Sequence, residues 1–104
     1  MPVRLHELAH CRAGDKGNVA TLSVIPYSDG DYPLLVRELT AERVRAHLAG
    51  HVGGQVRRYE LPLLQALQFV CTEVHDGGVT TSLALDTHGK SLSSRLLALE
   101  LPEG

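Results

Sequence analysis

Residues 19–25 read VATLSVI, with the turn-forming cluster GDKGN before them and YSDGDY after them. An extended chain of this composition is apolar on both faces, which is the pattern of a strand in the middle of a sheet. A middle strand needs neighbours on both sides. The chain is therefore committed to a sheet, and the remaining sequence is read for the strands that pair with this one and the helices that cover it.

Upstream, Val3 to Ala9 places Val3, Leu5 and Ala9 on one alternate face and Arg4, His6 and His10 on the other, with Glu7 and Leu8 out of pattern. This predicts an imperfect first strand, joined to the middle one through AGDKGN as a hairpin or a wide loop. Downstream, Pro33 opens a short helical turn containing Leu34, Leu35 and Leu39. Thr40 then reads as the N-cap of a helix from Ala41 to Gly50, with Leu39 and Val44 placed as a hydrophobic staple and Glu42 in the first turn.

HVGG at 51–54 reads as a flexible link, and QVRRYE at 55–60 fits a strand with a partly polar face. Pro62 suits the first position of a second helix in which Leu63, Leu67, Val70 and Val74 keep helical spacing, ended by Asp76-Gly77-Gly78. Val79 to Asp86 alternates as a strand, THGK at 87–90 is a turn, and Ser91 caps a last helix with Leu92, Leu96 and Leu99 on one face. The order ββαβαβα, with about four strands and one apolar stripe per helix, predicts an α+β two-layer sandwich with the helices on one sheet face.

At 104 residues the chain is read as a single domain, 1–104, too short to bury a second core. No apolar run approaches the roughly 20 residues that span a bilayer, and MPVRLHEL has no signal-peptide core, so no membrane and a cytoplasmic setting are expected. A net charge of −2, no Trp and one Phe give no footing for nucleic acid. Cys11 and Cys71 lack Cys-x-x-Cys spacing and read as small buried hydrophobes.

Two motifs compete in residues 6–18. His6-Glu-Leu-Ala-His10 matches the zinc-hydrolase pattern, which works only when both histidines share one helix face. On a strand they stand about 13 Å apart, too far for nitrogens sharing a metal at roughly 2 Å. No metal and no cofactor are therefore expected.

The block from Arg12 to Asn18 has two readings. In one, Gly14 and Gly17 take positive φ, their N–H groups converge on an anion, and Arg12 and Lys16 add charge while Asp15 organises the turn. In the other it is a tight hairpin in which Asp15 and Asn18 bond their own backbone. The candidate ligand-binding residues are Arg12, Gly14, Asp15, Lys16, Gly17 and Asn18. His47 and His51 read as a helix end, Arg57-Arg58 with Tyr59 as a solvated edge able to meet an anionic partner, and Ser91, Ser93 and Ser94 lack a nucleophile elbow.

AHCRAGDKGN at 9–18, Leu39-Thr40, RYELP at 58–62, ALQFV at 66–70, Gly77-Gly78-Val79 with Ser82-Leu83, and Asp86 through Gly89-Lys90 together resemble the AtuA-like ferredoxin-fold domain. The most specific piece is Arg-x-Gly-Asp-Lys-Gly-Asn, and the resemblance covers nearly the whole chain. It implies a ferredoxin-like α+β fold and no established reaction. In acyclic terpene utilisation proteins such a domain follows a larger one, and short versions are often encoded near enzymes that process acyl-CoA. A counterpart of the larger domain is not expected with this chain, nor is the chemistry located there. Cys11 and Ala13 stand where Ala and Ser are more typical.

Two functions follow as expectations. One is an accessory or binding module, not an enzyme on its own, that docks on a larger AtuA-type protein or on itself, as a homo-oligomer of which a dimer is simplest. The other is a small enzyme or a binder of acyl-CoA, phosphate or another anionic small molecule, with its site at Arg12 to Asn18.

Overall fold

The computed structural model describes residues 2–74 and 92–102. The expected strand at 79–86, the turn at 87–90 and the Ser91 cap lie outside the described residues. A two-residue strand β1 (Val3–Arg4) leads into a single helical turn α1 (Leu5–Leu8) and then the long strands β2 (Ala9–Lys16) and β3 (Val19–Pro26). A 3-10 turn at Asp29–Asp31 precedes helices α2 (Tyr32–Glu38) and α3 (Ala41–His47). Strands β4 (Val56–Leu61) and β5 (Ala66–Cys71) form a second hairpin, followed after the undescribed segment by α4 (Leu92–Leu97) and β6 (Glu100–Leu101).

The main sheet has the order β2-β3-β5-β4 and every pairing in it is antiparallel. VATLSVI lies in β3 and has a neighbour on each side, as its composition requires. One face of the sheet carries Leu22, Val24, Leu67, Phe69 and Cys71, all fully buried. Leu35 and Leu39 around α2, Val44 of α3 and Leu96 of α4 pack into the same cluster. The helices thus share one side of the sheet, and the architecture is the expected α+β sandwich.

The capping prediction at Thr40 holds in detail. Its hydroxyl accepts the Arg43 N–H at 3.1 Å, and the staple residues Leu39 and Val44 are both fully buried. His47, read as a frayed helix end, instead ties α3 to α4 by donating from Nε2 to the Arg95 carbonyl at 2.7 Å.

Three expectations are corrected. Val3 to Ala9 is not one strand: Leu5 and Ala9, four apart, are both fully buried at helical spacing, and the Arg4 N–H donates to the Glu7 carboxylate at 3.1 Å to start the turn. The helix predicted from Pro62 is a hairpin. Leu67, Phe69 and Cys71 alternate as well as Leu63, Leu67, Val70 and Val74 repeat, and pairing of β5 with both β3 and β4 decides between the two periods. Pro62 to Gln65 forms the connecting turn, Gln65 sits at φ 50°, and Leu63 is 99% exposed.

The third correction is HVGG, which is pinned rather than flexible. Gly53 and Gly54 donate to the carbonyls of Glu73 and Thr72 at 2.9 and 3.1 Å. A Cβ on Gly54 would stand 2.9 Å from the Thr72 carbonyl oxygen, so only glycine permits this approach.

Candidate functional site

The His6-Glu-Leu-Ala-His10 pattern does form a helical turn, but the turn stops before its second histidine. Ala9 is extended at φ −155°, ψ 163°, which sends His10 into β2 while His6 stays on α1. His10 faces the Tyr27 ring edge-on at 5.6 Å, and among the described residues no group of three or more His, Cys, Asp or Glu is placed to hold a metal ion.

Residues 12–18 are not the open loop that the nest reading needs. Arg12 through Lys16 are strand residues, paired one by one with Ser23 through Val19, and only Gly17 and Asn18 turn the chain. Gly17 alone among the described glycines has positive φ, 66°, as the first position of a two-residue hairpin turn favours. Gly14 is an ordinary strand residue with open space where a Cβ would sit. The converging N–H cradle is therefore absent, because the strand ladder fixes the backbone of Gly14.

The pleat also separates the charged residues of this block. Arg12, Gly14 and Lys16 project to the face opposite the core, whereas Asp15, cross-strand from Ala20, belongs to the core side beyond its edge. Arg12 and Asp15 cannot pair. All of Arg12, Asp15, Lys16 and Asn18 are exposed, and none forms an ion pair or side-chain hydrogen bond with a described residue. The Asn18 carbonyl accepts the Val74 N–H at 2.8 Å, joining the hairpin tip to the end of β5.

Register brings together a different set. Arg12 stands opposite Ser23, Ser23 opposite Gln68, and Gln68 opposite Tyr59, so a polar row crosses all four strands. A second row, Gly14, Thr21, Val70 and Arg57, lies beside it. The two rows span about 14 Å across the strands and about 7 Å between rows. Arg12, Arg57 and Tyr59 are exposed, Tyr59 by 45%, and Lys16 extends the charge along β2. Among the described residues, the strand positions facing this way hold three cations and no carboxylate.

Ser23 and Gln68 are missed by a search for local motifs, since they come from different strands, whereas Tyr59 is expected beside Arg57 at an edge able to meet an anionic partner. Thr21 and Ser23, alternating with the buried Leu22 and Val24, give β3 one polar-lined face where its composition suggests two apolar ones, and the partly polar face of QVRRYE is the other local signal of a polar outer face. Arg58, by contrast, points to the core side: it donates to the Val36 and Leu39 carbonyls at 2.8 and 3.2 Å and pairs with Glu60 at 3.0 Å.

Neither cysteine offers a nucleophile. Burial pushes the Cys11 thiol up to about 12, with Cys71 adding to the shift against a hydrogen bond from Ser23, and burial pushes Cys71 up to about 11. Both stay protonated at neutral pH. A shallow groove of about 190 Å³ between α3 and β4, lined by Ala41, Glu42, Arg45, Gln55 and Val56, lies away from the polar rows.

The AtuA ferredoxin-like domain model matches residues 3–102. The chain belongs to that family. The antiparallel sheet with helices on one side agrees with the ferredoxin-like description. Searches of curated proteins and of solved structures returned no match. Among the described residues of this AtuA ferredoxin-like domain, no helix is long and apolar enough to cross a membrane.

Proposed function

We propose that this AtuA ferredoxin-like domain is an accessory docking module that binds an acidic surface of a larger AtuA-type protein, in acyl-CoA or terpenoid-acid catabolism, without a reaction of its own. The observation that carries this reading is the outer face of the sheet. On a chain of net charge −2, Arg12, Lys16 and Arg57 gather on one face, with no carboxylate among the described strand residues there, around the hydroxyls of Thr21, Ser23 and Tyr59. A flat, cationic, donor-rich platform favours an acidic protein surface, which it would meet with electrostatic steering and charge-assisted hydrogen bonds. It lacks the enclosed, water-excluding shape that acid-base chemistry requires.

Mixing the purified domain with the larger AtuA-type protein from the same cell tests this. A complex whose affinity falls steeply with added salt is expected. No complex at low salt would refute the docking reading.

Arg12 and Lys16, without an ion-pair partner among the described residues and on the same face of β2, also favour a second reading, in which a phosphate or an acyl-CoA is the ligand. Titration of phosphate, CoA and a short-chain acyl-CoA by NMR distinguishes it. Shifts of the Gly14, Lys16 and Gly17 amides that vanish in Lys16→Ala would favour the ligand, and their absence would leave docking alone.

A further inference from the structure

Among the described residues the outer edge of β4 has no neighbouring strand and is self-complementary, and we propose that it joins two copies of this chain into a dimer by antiparallel β4–β4 pairing centred on Tyr59. This inference does not rest on the docking partner above. Among the described strands β4 ends the sheet, with β5 on one side only. The Thr72 N–H donates to the Gln55 carbonyl at 3.0 Å, so by alternation Arg57, Tyr59 and Leu61 turn their backbone groups toward β5. Val56, Arg58 and Glu60 turn theirs to the open edge. An exposed row of this kind is a template for another strand.

A two-fold axis perpendicular to the sheet keeps each copy's faces aligned, so its centre must fall on a residue of β4. Centring on Arg57 or Arg58 sets arginine against arginine, and centring on Glu60 sets glutamate against glutamate. Centring on Tyr59 sets Arg58 against the second copy's Glu60, twice, and Arg57 against its Leu61. It also places the edge-facing backbone groups of Arg58 and Glu60 in hydrogen-bonded pairs, and Tyr59 with its copy in the closer, non-bonded pair. Charge, face and backbone polarity agree at this one register.

The same register accounts for the most exposed apolar residues of the described chain. Leu63 and Leu64, 99% and 72% exposed, sit on a turn held by N–H donation from Leu64 to Leu61 and from Gln65 to Pro62 at 3.1 and 3.2 Å. Pro62 comes opposite the second copy's Val56, bringing this turn to the end of β4 where Ala41, Gln55 and Val56, with Glu42 and Arg45 beside them, line the shallow groove. A strand pair alone buries less than a stable dimer needs, and the two turn-to-groove contacts supply apolar area at either end.

Sedimentation of the full chain at micromolar concentration should show a dimer. Glu60→Lys, which sets like charges opposite Arg58 at an exposed position, should weaken it at least tenfold, as should Leu63→Asp, with circular dichroism and thermal midpoint near wild type. Mild oxidation should cross-link Tyr59→Cys into a covalent dimer, since non-bonded antiparallel pairs suit disulfide geometry, and should leave Arg57→Cys and wild type largely uncross-linked. A monomer at all concentrations overturns the proposal. So does a dimer that is indifferent to Glu60→Lys, or one in which Arg57→Cys cross-links as readily as Tyr59→Cys.

Discussion

The two faces of the sheet are made from the same strands and differ in nearly everything else. On the core face Leu22, Leu67 and Phe69 are fully buried against the helices, and on the other face Thr21, Gln68 and Arg57 meet solvent one residue away. The core face is constrained by packing, where even one methylene matters. The outer face carries little of that load, so its residues are free to serve binding. Cations gathered there are therefore better evidence of function than any residue of the core.

The largest effect that would sharpen this contrast is Phe69→Ala. Phe69 is the largest fully buried side chain and lies in β5 between two neighbours, so its truncation should cost about 3–5 kcal/mol by chemical denaturation. Its outer-face neighbours in the sheet behave differently: Thr21→Ala or Gln68→Ala should change stability by less than about 1 kcal/mol. A loss from Gln68→Ala equal to that from Phe69→Ala would erase the distinction between the faces.

Alkali tests the core face by another route. The folded thiols of Cys11 and Cys71 ionise near 12 and 11 while an unfolded thiol ionises near its ordinary value of 9. Below about pH 9 both states are protonated and the contribution is intact; from there up to the folded values the unfolded chain loses protons first and stability falls. For the fully buried Cys71 the slope is at most about 1.4 kcal/mol per pH unit. Cys71→Ala should therefore be less stable than wild type at pH 7, with the gap narrowing between pH 9 and 11. A gap constant across that range would contradict a buried thiol.

Smaller effects belong to the edges of the core. Thr40→Ala removes the hydroxyl that accepts the Arg43 N–H and should cost about 1 kcal/mol. Gly14→Ala should be neutral or stabilising by about 0.5–1 kcal/mol, because Gly14 is a strand residue with room for a Cβ. Marked destabilisation there would restore the special loop backbone that the structure removes.

What was legible in the sequence follows the same division. The middle strand, the Thr40 cap and the Gly17 turn are local signals, and each is found where the residues place it. The β4–β5 hairpin is not local: Leu63, Leu67, Val70 and Val74 satisfy a helix period, and only pairing with β3 and β4 selects the strand. The candidate site suffers for a related reason. Arg12, Asp15 and Lys16 are adjacent in sequence, but the pleat sends Asp15 to the other side, and the residues that join Arg12 come from three other strands. Composition identified the cations at Arg12, Lys16 and Arg57; register alone reveals that they share a face.

The most direct test reverses charge at the two ends of that face. R12E/R57E alters exposed residues on opposite edge strands and should leave the thermal midpoint close to wild type. Isothermal titration against the larger AtuA-type protein, at low and at physiological salt, should then give at least about a tenfold loss of affinity together with a shallower salt dependence. Wild-type affinity with an unchanged salt slope in a folded R12E/R57E domain would contradict the assignment of the outer face as the docking surface.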